Sequence, residues 1–242
     1  MGPPGIGAEV EGVHAVAAAL DAGRVQRLTV EASRKGALGD LVSRARSKGV
    51  DVRFADDVRE IASTSAPQGV VARCRPIQPV SLETASRRSS PTALAVLDHL
   101  EDPRNVGAVA RSALAAGFTG LLMSTRRSAP LTAATFKSAA GALERLDLVL
   151  VSSIADAIES LRKLGVWSVG LDADGDQSLF GLSLLTEPVA VVIGAEGAGL
   201  SRLVAERCDV IASIPISSEV ESLNASVAAA LALFEVARVR TG

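Results

Sequence analysis

Residues 189–201 read VAVVIGAEGAGLS. Five consecutive apolar residues, Val189 to Ile193, run into a loop of Gly194, Ala195, Glu196, Gly197, Ala198 and Gly199. An unbroken apolar run of this length predicts a strand buried on both faces, as in a parallel sheet. Glycines directly after it permit a tight turn and let a ligand approach the main chain closely. A second run, Val210 to Ile216, carries Pro215 and ends in a polar loop with Ser217, Ser218, Glu219 and Glu221. That loop passes through Ser222, Leu223 and Asn224 into an alanine-rich helix. Two strands deliver their loops, and one helix its N-terminus, to one predicted site.

Outward from this stretch, the pattern from Thr92 onward is strand, loop, helix. Apolar runs at 93–97, 120–123, 148–151, 166–171, 189–193 and 210–216 predict strands, and 106–116, 154–164, 200–207 and 225–238 predict helices. Such alternation predicts an α/β domain with a mainly parallel sheet and helices on both faces. In sheets of this kind ligands bind beyond the carboxyl ends of the strands. The first part of the chain predicts a smaller α/β unit, with helices at 12–20, 36–48 and 56–62 and strands at 25–30, 50–54 and 68–75. Residues 77–91, IQPVSLETASRRSSP, lack periodicity and are rich in Pro, Ser and Arg, which predicts a linker. The expected organisation is therefore a domain at 1–76, a linker at 77–91 and a larger domain at 92–242.

Composition bounds the function. At 242 residues, with 48% hydrophobic and 21% charged, the chain has material for a packed core. No apolar run approaches the roughly 18 residues that cross a bilayer. The start, MGPPGIGAEVEG, has neither a basic flank nor an apolar core, so it predicts no secretory signal, and Ile6 argues against myristoylation. Cys74 and Cys208 stand apart and only His14 and His99 are present, so neither a metal site nor a disulfide framework is expected. His14, among small apolar residues, reads as a packing or surface residue. The expected location is the cytoplasm.

Net charge is −2, but it is unevenly spread: Arg24 to Arg53 holds eight basic and three acidic residues. Clustered positive charge suits a phosphate polymer, while the plainer reading is a solvated helix face. The candidate RNA contacts are Arg24, Arg27, Arg34, Lys35 and Arg44. The absence of Tyr, with five Phe and one Trp, argues against stacking platforms of the RRM type.

Three motifs carry chemistry. In LDHLEDPRNVGAVARSALAAGF, residues 97–118, Asp102 before Pro103 opens a helix. Gly107 and Arg111 lie four apart on one face of it, with Asn105 nearby. Gly107 reads as a site of close approach, since glycine inside a helix costs about 1 kcal/mol. Arg111 emerges among Val, Ala and Leu, either for chemistry or as half of a buried ion pair. The glycine loop is no P-loop, because no Lys follows, and its GxxGxG spacing and late position make a poor dinucleotide fingerprint. Glu196 is either a solvated turn residue or a polar ligand contact. Ser222 reads as an N-cap with Asn224 in the first turn, and the apolar helix behind it is either central or part of a subunit interface. The DADGD run at 172–176 fails the calcium-loop pattern, because Ser183 stands where the closing Glu belongs.

Taken in this order, NxGxxxR at Asn105, Gly107 and Arg111, IGAEGAGLS at 193–201 and IPISSEVESLNASVA at 214–228 resemble the SpoU/TrmH family of RNA ribose 2'-O-methyltransferases. The likeness extends to GVHAV at 12–16, QGVVAR at 68–73 and RSAPLTAATFKSAAGALE at 127–144, and is nearest the branch acting on guanosine of large-subunit ribosomal RNA. The resemblance implies a carboxyl-terminal trefoil knot, a homodimer packed through that domain, and S-adenosylmethionine as cofactor. It also implies an RNA substrate, 23S rRNA, rather than DNA or membrane, bound by a small first domain. By matching position Gly194, Ala195, Glu196, Gly199, Ile214, Ser222 and Leu223 would form the cofactor pocket. Asn105, Arg111, Glu196 and Asn224 would serve catalysis at the ribose. Arg111 would act as general base or, since a guanidinium rarely loses its proton, as a stabiliser of the developing alkoxide. Two departures are Ala225, where Val is usual, and Glu11, where an aromatic residue is common. Transfer to tRNA, thiopeptide resistance and a non-catalytic RNA-binding assembly factor are the alternatives.

Overall fold

A computed structural model describes residues 5–126 and 128–241. The first four residues, on which part of the amino-terminal reading falls, and Arg127, which opens the 127–144 stretch, lie outside the described residues.

Apolar runs become strands because their alternate residues find two different partners. The second sheet contains β5 (Ala93–Leu97), β6 (Gly120–Ser124), β7 (Asp147–Val151), β8 (Trp167–Leu171), β9 (Gln177–Ser178), β10 (Val189–Ile193) and β11 (Val210–Ser213). Their order is β7-β6-β5-β10-β8-β11-β9, and every pairing is parallel. Ala93, Ala95, Leu97, Val189, Val191 and Ile193 face one core, shared with α4 (Pro103–Ala115), α5 (Ala133–Ala139) and α8 (Ala225–Thr241). Leu94, Val96, Ala190 and Val192 face the other, shared with α3 (Leu82–Ser86), α6 (Ile154–Lys163) and α7 (Arg202–Arg207). The period of two along each strand thus separates two helical layers.

Local chemistry sets the helix ends. Asp102 accepts a hydrogen bond from the Arg104 amide at 2.8 Å and Pro103 sits in the first turn of α4, a cap worth about 1 kcal/mol. Gly107 lets α4 meet α5: a Cβ there would lie 2.5 Å from the Ser138 Cβ and 2.6 Å from the Thr135 carbonyl. At the far end of α8, Arg240 donates to the carbonyls of Leu185 and Thr92, each at 3.0 Å, tying the helix to the opposite edge of the sheet.

The first sheet has the order β1-β4-β2-β3, from β1 (Glu9–Glu11), β4 (Val70–Cys74), β2 (Val25–Glu31) and β3 (Asp51–Ala55). Only β2 and β3 run parallel. α1 (Val13–Asp21) buries Ala15, Val16, Ala19 and Leu20, and α2 (Gly39–Ser47) buries Leu41, Val42 and Ala45. Glu11, the departure noted above, is fully buried, and its carboxylate accepts from the Ser63 and Thr64 amides. It therefore shapes the loop before β4, a task no aromatic side chain could perform.

Several expectations need correction. The helix expected at 56–62 is a single 3-10 turn, Val58–Glu60, because Asp57 caps it by accepting from the Arg59 amide but little apolar surface follows. The linker is not wholly irregular: Ser81 caps α3, whose Ala85 is fully buried against the second sheet. The run at 210–216 stops pairing at Ser213, before Pro215, which has no amide to donate. The short strands β1 and β9 and helix α5 were not foreseen; three residues, two residues and a Thr/Ala/Ser-rich turn carry too little periodicity to register.

Candidate active site at the carboxyl edge of the second sheet

The loops that follow β8, β10 and β11 converge with the start of α8 around a cavity of about 520 Å³. All seven residues expected there, Gly194, Ala195, Glu196, Gly199, Ile214, Ser222 and Leu223, line it. The wall is largely main chain. Ala195 and Gly199 exchange two backbone hydrogen bonds, 2.9 and 3.0 Å, which folds the loop back on itself. A Cβ on Gly194 would lie 2.2 Å from the Gly199 carbonyl carbon, so no other residue fits at that point. Gly197 and Gly199 adopt φ of 72° and 65°, the left-handed region that favours glycine.

Asp98, at the end of β5, anchors both ends of this loop. Its amide donates to the Ile193 carbonyl at 2.8 Å, and its buried carboxylate accepts from the Ser201 amide at 2.7 Å. Sequence reasoning missed it, and also missed Leu171, Asp172, Ala173 and Asp174, which complete the cavity wall. The available signal was position: all five residues close or follow strands at the sheet's carboxyl edge.

Asn105, Glu196 and Asn224 come together. Glu196 Oε1 accepts from the Asn105 side-chain amide at 2.5 Å and from that of Asn224 at 2.6 Å. The helix cap is Asn224, not Ser222: its Oδ1 accepts from the Ser226 amide at 2.9 Å and the Val227 amide at 3.3 Å. One carboxamide thus closes α8 with its oxygen and holds the carboxylate with its nitrogen, which fixes its orientation. The arrangement is a pre-set polar cluster beside a main-chain pocket, able to orient a hydroxyl without rearranging.

Arg111 stands apart. Six residues beyond Asn105 on α4, it is rotated about 120° around the axis and is exposed. The buried ion pair entertained for it does not form: among the described residues no carboxylate pairs with Arg111. It is an exposed side chain on the helix that carries Asn105.

The basic candidates of the first unit divide. Arg24 is not a surface contact: its side chain is 12% exposed and is ion-paired with Glu144. Arg27 pairs with Asp51 at 2.8 Å, and Arg44 with Asp21 and Asp40. Arg34 and Lys35 are exposed and carry no carboxylate partner among the described residues, with Lys35 5.2 Å from the centre of the Phe54 ring. Among the described residues no cluster of three or more His, Cys, Asp or Glu side chains is arranged to hold a metal ion, and no helix is long and apolar enough to cross a membrane.

A parallel α/β sheet with a glycine-walled pocket at its carboxyl edge defines the class, and comparison with known proteins narrows it. The SpoU rRNA Methylase family matches residues 92–234, and a family described as RNA 2'-O ribose methyltransferase substrate binding matches residues 10–80. The chain belongs to the SpoU rRNA methylase family. It is 37% identical to the 23S rRNA (guanosine-2'-O-)-methyltransferase RlmB of Coxiella burnetii, covering 96% of this chain and 95% of that one. It is 38% identical to the protein of the same name from Xanthomonas campestris pv. campestris, covering 96% and 97%. Among solved structures, the SpoU methyltransferase AviRb from Streptomyces viridochromogenes in complex with AdoMet superposes with a TM-score of 0.79 at 28% identity, covering 96% and 90%.

Proposed function

We propose that this chain transfers a methyl group from S-adenosylmethionine to the ribose 2'-hydroxyl of a guanosine in 23S ribosomal RNA. The observation that carries the reading is the juxtaposition of the glycine-walled pocket with the Asn105–Glu196–Asn224 cluster at one edge of the sheet. Relatives named as 23S rRNA guanosine-2'-O-methyltransferases, matched over nearly their full length, support the substrate. A solved relative in complex with AdoMet supports the cofactor. The pocket fits it: about 520 Å³ suits a ligand of that size, and Gly194, Ala195, Gly197 and Gly199 put a wall of small residues along it.

In this reading Gly194, Ala195, Gly199, Ile214, Ser222 and Leu223 hold the cofactor through main chain and apolar contact. The bound cofactor supplies a methyl group on a positively charged sulfur. Asn105 and Asn224, held by Glu196, orient the ribose so that its 2'-oxygen lies in line with that methyl. Alignment of two reactants can supply up to roughly 7–11 kcal/mol of a barrier. Arg111 steadies the negative charge that develops on the 2'-oxygen while its proton passes to solvent water, the neutral thioether being the other product. Arg34 and Lys35 contact RNA phosphates, while Arg27 and Arg44 contribute less because each is already paired.

The reading includes a trefoil crossing at the carboxyl end. Its support is the strand order, with β10 between β5 and β8 and β11 beyond β8. It also includes a homodimer packed through α8, since Val227, Leu231 and Phe234 form an exposed apolar stripe on one face of that helix. A cytoplasmic location follows from a ribosomal RNA substrate. Labelled methyl transfer to 23S rRNA lacking the modification, followed by mapping of the labelled nucleotide, tests the proposal. Absence of label in the RNA, or label on a base rather than a ribose, would overturn it.

A further inference from the structure

A short segment packs between the two sheets. Residues 133–144, α5 and the turn behind it, pack against α4 on one side and against α1 and β1 on the other. The packing is close enough to exclude side chains at two places. A Cβ on Gly141 would lie 2.5 Å from the Ala18 Cβ, and one on Gly7 would lie 2.4 Å from the Phe136 ring. Both glycines have positive φ, 94° and 64°, so the backbone is committed to this contact.

A buried ion pair locks the same junction. Arg24 and Glu144 are 12% and 3% exposed, and Arg24 Nε donates to Glu144 Oε2 at 2.7 Å while Nη2 donates to Oε1. The other terminal nitrogen of Arg24 donates to the carbonyls of Gly7 and Arg75, and the guanidinium lies over the Phe136 ring, 5.9 Å from its centre. Lys137 adds a bond to the Ala66 carbonyl. An exposed pair at such a junction would exchange with water and hold nothing in place. A buried, two-pronged guanidinium cannot let go without leaving a charge stranded out of water.

On the far side the segment touches the catalytic helix itself, through Gly107 against Thr135, Ser138 and Ala139. That helix carries Asn105 and Arg111, and none of residues 133–144 lines the cofactor cavity. We infer that residues 133–144 are a rigid coupler, and that Arg24 and Glu144 are positioning residues that hold the RNA-gripping surface at a fixed distance and angle from the ribose site. The inference rests on the methyl-transfer reading above. A loosely tethered first unit would only raise the local concentration of RNA; a fixed one turns remote contacts into orientation of the reacting hydroxyl.

The test uses the full chain and a 23S rRNA fragment that the wild type methylates. Glu144→Gln is expected to lower kcat/KM for RNA roughly tenfold, with the KM for S-adenosylmethionine unchanged within about twofold. Spin labels at Ser47→Cys and Ser160→Cys, one on each unit, are expected to give a narrow distance distribution in the otherwise wild-type chain and a broad one with Glu144→Gln. A broad distribution without Glu144→Gln, an unchanged kcat/KM for RNA, or an equal loss toward RNA and cofactor would overturn the coupler. A wild type that methylates no RNA would sink the parent reading instead, and the distance distribution would still decide whether the junction is rigid.

Discussion

The carboxyl edge of the second sheet and the basic surface of the first unit are built on opposite principles. At the sheet edge almost every contact is made by main chain or by a side chain already satisfied: a glycine loop folded on itself, and a glutamate gripped by two carboxamides. On the first unit the charged groups are mostly exposed, and several are occupied by neighbouring carboxylates. One region gains its specificity from shape that cannot relax; the other gains affinity from charges that any counterion can screen. Substitutions should therefore be severe and local in the first case, graded and salt-dependent in the second.

The largest effect is expected at the exposed cation of α4, which has no carboxylate partner among the described residues. Arg111→Ala should lower kcat about 10²–10³-fold and leave the calorimetric Kd for S-adenosylmethionine unchanged; near-wild-type turnover would remove Arg111 from the chemistry.

Next comes a contrast within the glycine loop. Gly194→Ala pushes a methyl into backbone 2.2 Å away, so cofactor affinity should fall roughly ten- to hundredfold. Gly197→Ala meets nothing within 4 Å and is strained only by its φ of 72°, so its loss in the same titration should be much the smaller. Equal losses would mean that loop strain, not pocket shape, governs binding.

On the basic surface, Arg34→Ala and Lys35→Ala should each weaken RNA binding across sequences and reduce the slope of log K against log salt by about one. Filter binding over a salt series reads this directly. An unchanged slope would mean that these two charges do not meet phosphate.

The smallest effect concerns acid stability. Arg238 and the Gly181 amide hold the Glu235 carboxyl below its ordinary value of 4.5. That contribution is complete above the ordinary value and disappears as pH falls through the lowered one. Glu235→Gln should therefore flatten the decline of Tm on the acid side while lowering Tm slightly near neutrality.

How much of this was legible in the sequence depends on which atoms do the work. The run from Val189 to Ile193 and the glycines behind it could be read outright, because burial on both faces and close approach leave compositional traces. The convergence of that loop with the start of α8 was also legible. The bond between Glu196 and Asn224 was not, because the residues alone left Glu196 as either a solvated turn residue or a ligand contact. The partnership of Arg24 with Glu144 could not be read, because 120 residues separate them and a buried arginine looks like any other within a basic stretch. Arg111 shows the reverse error: its apolar neighbours suggested burial, yet its own angular position on α4 turns it outward. Asp98 escaped notice because its only signal was its place after an apolar run, and a single carboxylate there belongs to no motif. Short elements such as β9 exist only because the sheet offers them a free edge, which is a tertiary fact.

The two-ended role of Asn224 has a practical consequence. Its oxygen guards the amides of Ser226 and Val227, while its nitrogen reaches Glu196. The opening turn of α8 and the readiness of the pocket thus share one hinge pin, so exchange of those two amides with deuterated solvent becomes a built-in gauge of occupancy. Filling the pocket should slow their exchange well beyond that of amides midway along the same helix, letting site engagement be followed without turnover or a reporter dye.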